Sequence, residues 1–291
     1  MELIDLERYE RPTDLAAAVQ ALQAHEGEAL VLGGGTFVHG LVARGLVSHV
    51  RTLVDLTRLP LQWLRSDAAG VSIGATTTLQ AVADQLPGAD LPWLAGVADA
   101  MQYPPPQVRN AATVGGNVAA GCPFFDLPVV LLALEATVQA HGPGGNRSVA
   151  VQDLYLSLFQ TSLEPSEFVS ELRIPRRPGR TASSYEKLET TANDLALVSI
   201  AVSLGLDRSG VVDHVRIVAG GGVGETPQRC TAAEAALQGR RVDAASQAAA
   251  VAAARGEVDP FSDHRASAAY RRHMVGVLLG RNLERAASRL A

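Results

Sequence analysis

Two glycine-rich turns, separated by residues 37–112, constrain this chain more than any other feature. The second lies in the stretch 112–134, ATVGGNVAAGCPFFDLPVVLLAL. There Thr113 and Val114 form a short β-prone lead into Gly115, Gly116 and Asn117. A small-residue loop follows, and Asp126 and Pro128 then open an apolar helical run. Glycines let a polyanion approach backbone N–H groups, and a helix N-terminus behind them adds a favourable dipole. Alone, such a turn is a weak signal. The first turn, Leu32, Gly33, Gly34, Gly35 and Thr36, is of the same kind; it follows a short strand over 29–32 and precedes a helix over 37–44. Strand, glycine loop and helix in that order present N–H groups to phosphate. Together the two turns predict a dinucleotide gripped from two sides.

Composition narrows the field. A chain of 291 residues with 47% hydrophobic content can bury a sizeable core and form one to three domains. A net charge of −5 supplies no basic field for nucleic acid or an anionic membrane, and 4% aromatics argue against base-stacking platforms. Cys122 and Cys230 are too few for an iron–sulfur cluster or thiolate zinc site, which need about four ligands. No uncharged apolar run reaches the ~18 residues of a membrane span, and the first residues carry no secretion-signal pattern. The expectation is a cytoplasmic protein without membrane insertion.

Along the chain, Thr13 is the expected N-cap of a helix carrying Leu15, Val19 and Leu22, ended by Gly27. Strands are predicted over 51–56 and 70–75, and helices over 78–85 and 91–102. The prolines of YPPP, 103–106, should force an extended path into the second glycine loop. A hairpin over 136–140 and 147–150 precedes a strand over 168–174 that stops at Pro175. Charge, proline and glycine mark a boundary at 176–182, RRPGRTA. Beyond it, 183–187, 195–206 and 211–219 read as an antiparallel meander, and from Thr231 the chain is alanine-rich and helical. The pattern is mixed α+β, then a small sheet with a terminal helix cluster. The run 220–227, GGGVGETP, reads as a sheet-to-helix connector rather than a third phosphate loop, and His39 as a surface helix histidine.

With both turns in view, the chain resembles the flavin-binding medium subunit of the molybdenum hydroxylases, the family of xanthine dehydrogenase and bacterial carbon monoxide dehydrogenase. The segments that carry this are VLGGGTFVHGLVARG, QVRNAATVGGNVAAGCPFFDLPVVLLAL, VAGGGVGETPQRCTAAEAAL and DHRASAAYRRHMVGVLL, in that order. The resemblance implies a vanillyl-oxidase-like (PCMH-type) FAD-binding domain of two α+β subdomains over 1–176. A C-terminal domain like that of carbon monoxide dehydrogenase flavoproteins would follow over 183–291, a three-stranded antiparallel sheet with a helix bundle. It also implies an oxidoreductase role. A large subunit with molybdopterin oxidises the substrate, a small subunit carries two [2Fe–2S] clusters, and FAD on this chain collects the electrons for an external acceptor. The expected assembly is a dimer of heterotrimers.

Carried over residue by residue, Leu32, Gly33, Gly34, Gly35 and Thr36, with Phe37 next to them, would wrap the FAD pyrophosphate. Thr113, Gly115, Gly116 and Asn117 would meet it from the other side. Asp126 would bind cofactor hydroxyls. Leu172 would contact the isoalloxazine through its backbone, and Lys187 would lie near the ring edge, the alternative being a solvated strand lysine. Departures from the family are Phe37 in place of the usual Asp, Phe124 and Phe125 in place of small residues, and Glu189, Thr190 and Thr191 where Arg or Lys is frequent. Phe124 and Phe125 read as core or subunit-contact packing before they read as a flavin gate. No acid–base pair, nucleophile or metal-ligand set is evident. The competing readings are a stand-alone flavin oxidoreductase and a structural subunit that has lost FAD.

Overall fold

The computed structural model describes residues 6–86 and 91–291. The chain begins with a parallel three-stranded sheet in the order β1 (Arg8–Glu10), β3 (Thr52–Asp55), β2 (Ala29–Leu32). Helix α1 (Leu15–Ala24) follows β1, and α2 (Val38–Ala43) follows β2. Asp14, rather than the expected Thr13, caps α1, accepting from Ala17 N–H at 2.8 Å. Its carboxylate accepts from the N3 amide, one residue further on than a Thr13 cap would.

A five-stranded antiparallel sheet comes next. It combines β4 (Leu64–Asp67), β5 (Gly70–Gly74), β6 (Thr137–Gly142), β7 (Gly145–Ala150) and, beyond a small ribbon of β8 (Tyr155–Ser157) and β9 (Gln160–Thr161), β10 (Phe168–Pro175). Strand β10 lies at its centre, between β5 and β6. The helices between β5 and β6 carry the second glycine stretch. They are α3 (Leu79–Gln85), α4 (Ala95–Met101), α5 (Pro106–Ala111), α6 (Val114–Ala119) and α7 (Asp126–Ala133); the short α8 (Val151–Leu154) follows β7.

The helix expected over 91–102 is present, its first turn a 3-10 turn, Pro92–Leu94, that runs on into α4. Two other expectations fail in this helical region. Residues 106–111 are helical, not extended: Pro106 occupies the N1 position of α5, where its missing N–H costs nothing and its fixed φ suits a helix. The expected glycine loop at 115–117 is the first turn of α6, capped by Thr113.

The C-terminal part is an antiparallel meander of β11 (Arg180–Leu188), β12 (Val198–Leu206) and β13 (Val212–Gly221), to which the two-residue edge strand β14 (Gln228–Arg229) adds a fourth member. Helices α9 (Thr231–Leu237), α10 (Ala244–Glu257) and α11 (Ala268–Ser288) complete it. The 220–227 run leads from β13 into β14 and on to α9, the connector that the sequence predicts.

Two large apolar cores result, one drawn from residues 18–174 with Tyr185, Ala201 and Val218, the other from residues 182–290. Helix α7 joins them. All eight of its residues are buried, and it packs on α4 on one side and on β12 and β13 on the other. An α-helix apolar on every face is stable only in such a sandwiched position. A bidentate pair of Arg289 with Asp99 (2.7 and 2.8 Å) ties the C-cap of α11 to α4.

Candidate functional site: a glycine-walled cavity

A cavity of about 510 Å³ opens between the parallel sheet and α6. Strand β2 delivers the chain to its floor, and Gly35, at φ +68°, makes the turn into α2 that a residue with a Cβ adopts only with strain. The turn is pressed against the second glycine segment. A Cβ on Gly34 would stand 1.7 Å from the Ala111 carbonyl oxygen, and one on Gly33 2.5 Å from Thr113 Oγ1. No other residue type fits at these two positions. Among the described residues, no acceptor takes the backbone N–H groups of Gly34, Gly35, Thr36 and Phe37.

The second segment contributes differently from what its glycines suggest. Gly115 N–H donates to the Ala75 carbonyl (2.9 Å), Gly116 N–H to Thr113 Oγ1 (3.2 Å) and Asn117 N–H to the Thr113 carbonyl (2.9 Å). Its amides are therefore committed within the protein. What it offers the cavity is a smooth wall at Gly115 and Gly116 and the amide of Asn117, whose Oδ1 is buried with no partner among the described residues. A buried carbonyl oxygen left unpaired is costly, and such exceptions call for an explanation.

The predicted residues Leu32, Gly33, Gly34, Gly35, Thr36, Phe37, Thr113, Gly115, Gly116 and Asn117 all line this one cavity. Phe37 meets Phe125 edge-on at 4.9 Å between ring centroids and Phe159 at 6.0 Å, and the Arg44 guanidinium lies 5.9 Å and 5.5 Å from the Phe37 and Phe159 centroids. Phe37 and Phe125 are thus packed on each other. Phe124 turns away to Phe261 (6.4 Å), under Arg265 (5.2 Å). Phe159 also lines the cavity and is not legible as a site residue, because nothing in LSLFQ marks it for one. His39 is exposed on α2.

Asp126, Lys187 and Leu172 lie outside the cavity. The Asp126 Oδ1 accepts from the Tyr185 hydroxyl at 2.5 Å, and Lys187 Nζ stands 3.4 Å from Oδ2 while donating to the Asp194 carbonyl at 2.7 Å. Glu189 Oε2 approaches the same ammonium at 3.2 Å, and the Tyr103 ring lies beneath it at 4.8 Å. Lys187 is buried, so the solvated strand lysine is ruled out. Burial pushes the Asp126 carboxyl above its usual range, opposed by Lys187 and the Tyr185 hydroxyl. Burial likewise raises the Tyr185 phenol, with Asp126 adding to the effect. Leu172, fully buried at the centre of β10, pairs with Ile73 of β5 and Val138 of β6. Tyr185, the residue that orients Asp126, was missed in the sequence. Its only signal is that it alternates with Lys187 on one face of a strand.

A fold with a glycine turn between strand and helix, pressed on a second glycine segment, defines a nucleotide-cofactor protein, and comparison gives the class. Residues 4–177 match the FAD-binding domain of molybdopterin dehydrogenases, and residues 183–286 the C-terminal domain of carbon monoxide dehydrogenase flavoproteins. The chain belongs to this family of FAD-binding oxidoreductase subunits. It is 34% identical to the carbon monoxide dehydrogenase medium chain of Afipia carboxidovorans, over 97% of this chain and 96% of that one. It is 28% identical to a xanthine dehydrogenase FAD-binding subunit of Escherichia coli, over 94% and 93% of the two chains. A chain of the reconstituted carbon monoxide dehydrogenase of Oligotropha carboxidovorans superposes with a TM-score of 0.90 at 33% identity, covering 98% of each. Mixed α+β architecture and FAD as the cofactor follow from these matches.

Proposed function

We propose that this chain is the FAD-carrying electron-transfer subunit of a molybdenum-containing hydroxylase. The observation that carries the site is the turn over 33–37, four of whose amides have no acceptor among the described residues and which lines one cavity with Thr113, Gly115, Gly116 and Asn117. N–H donors without an acceptor beside a cavity suit a diphosphate, and the unpaired Asn117 Oδ1 suits a hydroxyl of the same cofactor. The residues present therefore fit FAD. Once bound, FAD supplies the redox chemistry; the protein supplies binding, orientation and electrostatics. Leu32 and Thr36 complete the phosphate turn in this reading. Asp126 and Lys187 are paired in a second, buried place on the β11 side, and Leu172 lies apart from them in β10; in this reading they set the surroundings of the flavin ring. In that group Asp126 acts through Lys187 and Tyr185, with both its oxygens engaged.

The same reading divides the chain into an FAD-binding domain over 1–176 and a C-terminal domain over 183–291, in keeping with the two cores. Its partners would be a molybdopterin-binding large subunit and a [2Fe–2S] small subunit, assembled as a dimer of heterotrimers in the cytoplasm. Relatives named as medium chains of dehydrogenases support such partners. Among the described residues no helix is long and apolar enough to cross a membrane. The test is anaerobic incubation of the isolated, FAD-loaded chain with candidate aldehydes, purines and other heterocycles. The flavin absorbance should stay oxidised until the partner subunits are added. Bleaching by substrate with the isolated chain alone would overturn the assignment in favour of a stand-alone flavin oxidoreductase.

A further inference from the structure

Phe159 stands out among the cavity residues for its backbone. It adopts φ +60° at the tip of the β8–β9 ribbon, a left-handed conformation that bulky side chains avoid. The surroundings over-determine it. Phe159 N–H donates to the Gly121 carbonyl at 2.9 Å, and Gly121 is itself left-handed (φ +58°), with no room for a Cβ, which would stand 2.9 Å from the Phe159 carbonyl carbon. The strain has a visible consequence. It holds the Phe159 ring over the cavity against Phe37, the residue that follows the phosphate turn, while Phe37 meets Phe125 from a third segment. Arg44 covers the Phe37 and Phe159 rings.

Backbone strain held at a cavity is a reason to look for function there. We propose that Phe159, held in its left-handed turn, is a cofactor-retaining residue: with Phe37 and Phe125 it forms an aromatic clasp that closes over FAD and slows its release. The inference rests on the FAD reading of the cavity and adds to it the aromatic contacts of Phe37 with Phe125 and Phe159. The clasp acts on dissociation. The phosphate turn provides recognition, and the rings block the way out and exclude water from the diphosphate.

The strain makes the test specific. In Phe159→Gly the left-handed turn is relaxed and the ring is lost; Phe159→Asn also tolerates that conformation but lacks the ring. The measurements are the rate of FAD release from the loaded protein, followed by the rise in free-flavin fluorescence on dilution, and the thermal midpoint of the apoprotein. Both variants should release FAD about tenfold faster or more, the loss expected for removing a buried aromatic anchor, while the apoprotein melts no lower than wild type. Wild-type release rates in both variants would overturn the proposal. So would faster release accompanied by a lower apoprotein midpoint in both, which would make Phe159 a structural residue. Wild-type apoprotein that takes up no FAD would refute the cofactor reading, and the clasp with it, and is distinguishable because it appears before any substitution is made.

Discussion

Tyr185, Asp126 and Lys187 illustrate how a residue's role depends on what else reaches it. Asp126 begins α7 with its carboxylate buried, so each oxygen needs a donor; Tyr185 serves Oδ1 and Lys187 lies near Oδ2. Removing one donor leaves a buried acceptor short of a partner, which costs about 1–3 kcal/mol. Tyr185→Phe should therefore lower the unfolding free energy by roughly that amount in urea titrations, with the m-value unchanged. A loss within about 0.5 kcal/mol of zero would mean that the hydroxyl is not needed there. At this scale the sequence was informative wherever chemistry required one residue type. The close approach of Gly33 and Gly34 to residues 111–113 admits no side chain, and those glycines are visible as a run. Phe159 and Tyr185 were not visible. A ring becomes part of a site through the turn or strand that aims it, and neither LFQ nor SYEKL states that aim.

Elements were legible where apolar periodicity was uninterrupted. The β6–β7 hairpin, β10, the meander and the last three helices fall within a few residues of their predicted spans. The failures sit where one residue serves two grammars. Proline stops a helix from inside and starts one at N1, and Pro106, expected to extend the chain, starts α5. Glycine in a helix's first turn looks like a loop until the cap is recognised; Thr113, accepting from Gly116 N–H, is that cap. The consequence is functional, since α6 contributes a wall and a side-chain amide where a loop would have contributed amide hydrogens. The joint between elements is testable as well. Arg289 donates to both oxygens of Asp99 and to the Ser183 carbonyl at 2.6 Å, and Asp99 also accepts from Tyr185 N–H at 3.0 Å. Arg289→Ala leaves a mostly buried carboxylate without its cation. Thermal and chemical denaturation should show a loss of about 2–3 kcal/mol. An unchanged midpoint would mean that the packing of α4 and α11 on β11 holds them without the ion pair.

Across the whole molecule, α7 belongs to the first core and packs on β12 and β13 of the C-terminal sheet, and the cofactor cavity lies on the parallel sheet and α6. The boundary at 176–182 is readable from composition because the chain passes there from β10 to β11 through charged and proline-rich sequence. That α7 packs on the C-terminal sheet as well as on α4 is not. Its apolar run announces burial but not how many partners bury it. If the two glycine segments hold FAD between them, Gly116 is the position at which a side chain interferes most directly. Gly116 lines the cavity, and a side chain there meets only Thr113 Oγ1, at 3.0 Å, before reaching open space. Valine is at least as good a helix former as glycine, so Gly116→Val should fold and fill the cavity. Calorimetric titration of FAD into apoprotein, with circular dichroism as the control for folding, decides the matter. About one FAD should bind per wild-type chain, with at least tenfold weaker binding to the variant at unchanged ellipticity; equal affinity in the two proteins would mean that the glycine segments do not hold the cofactor.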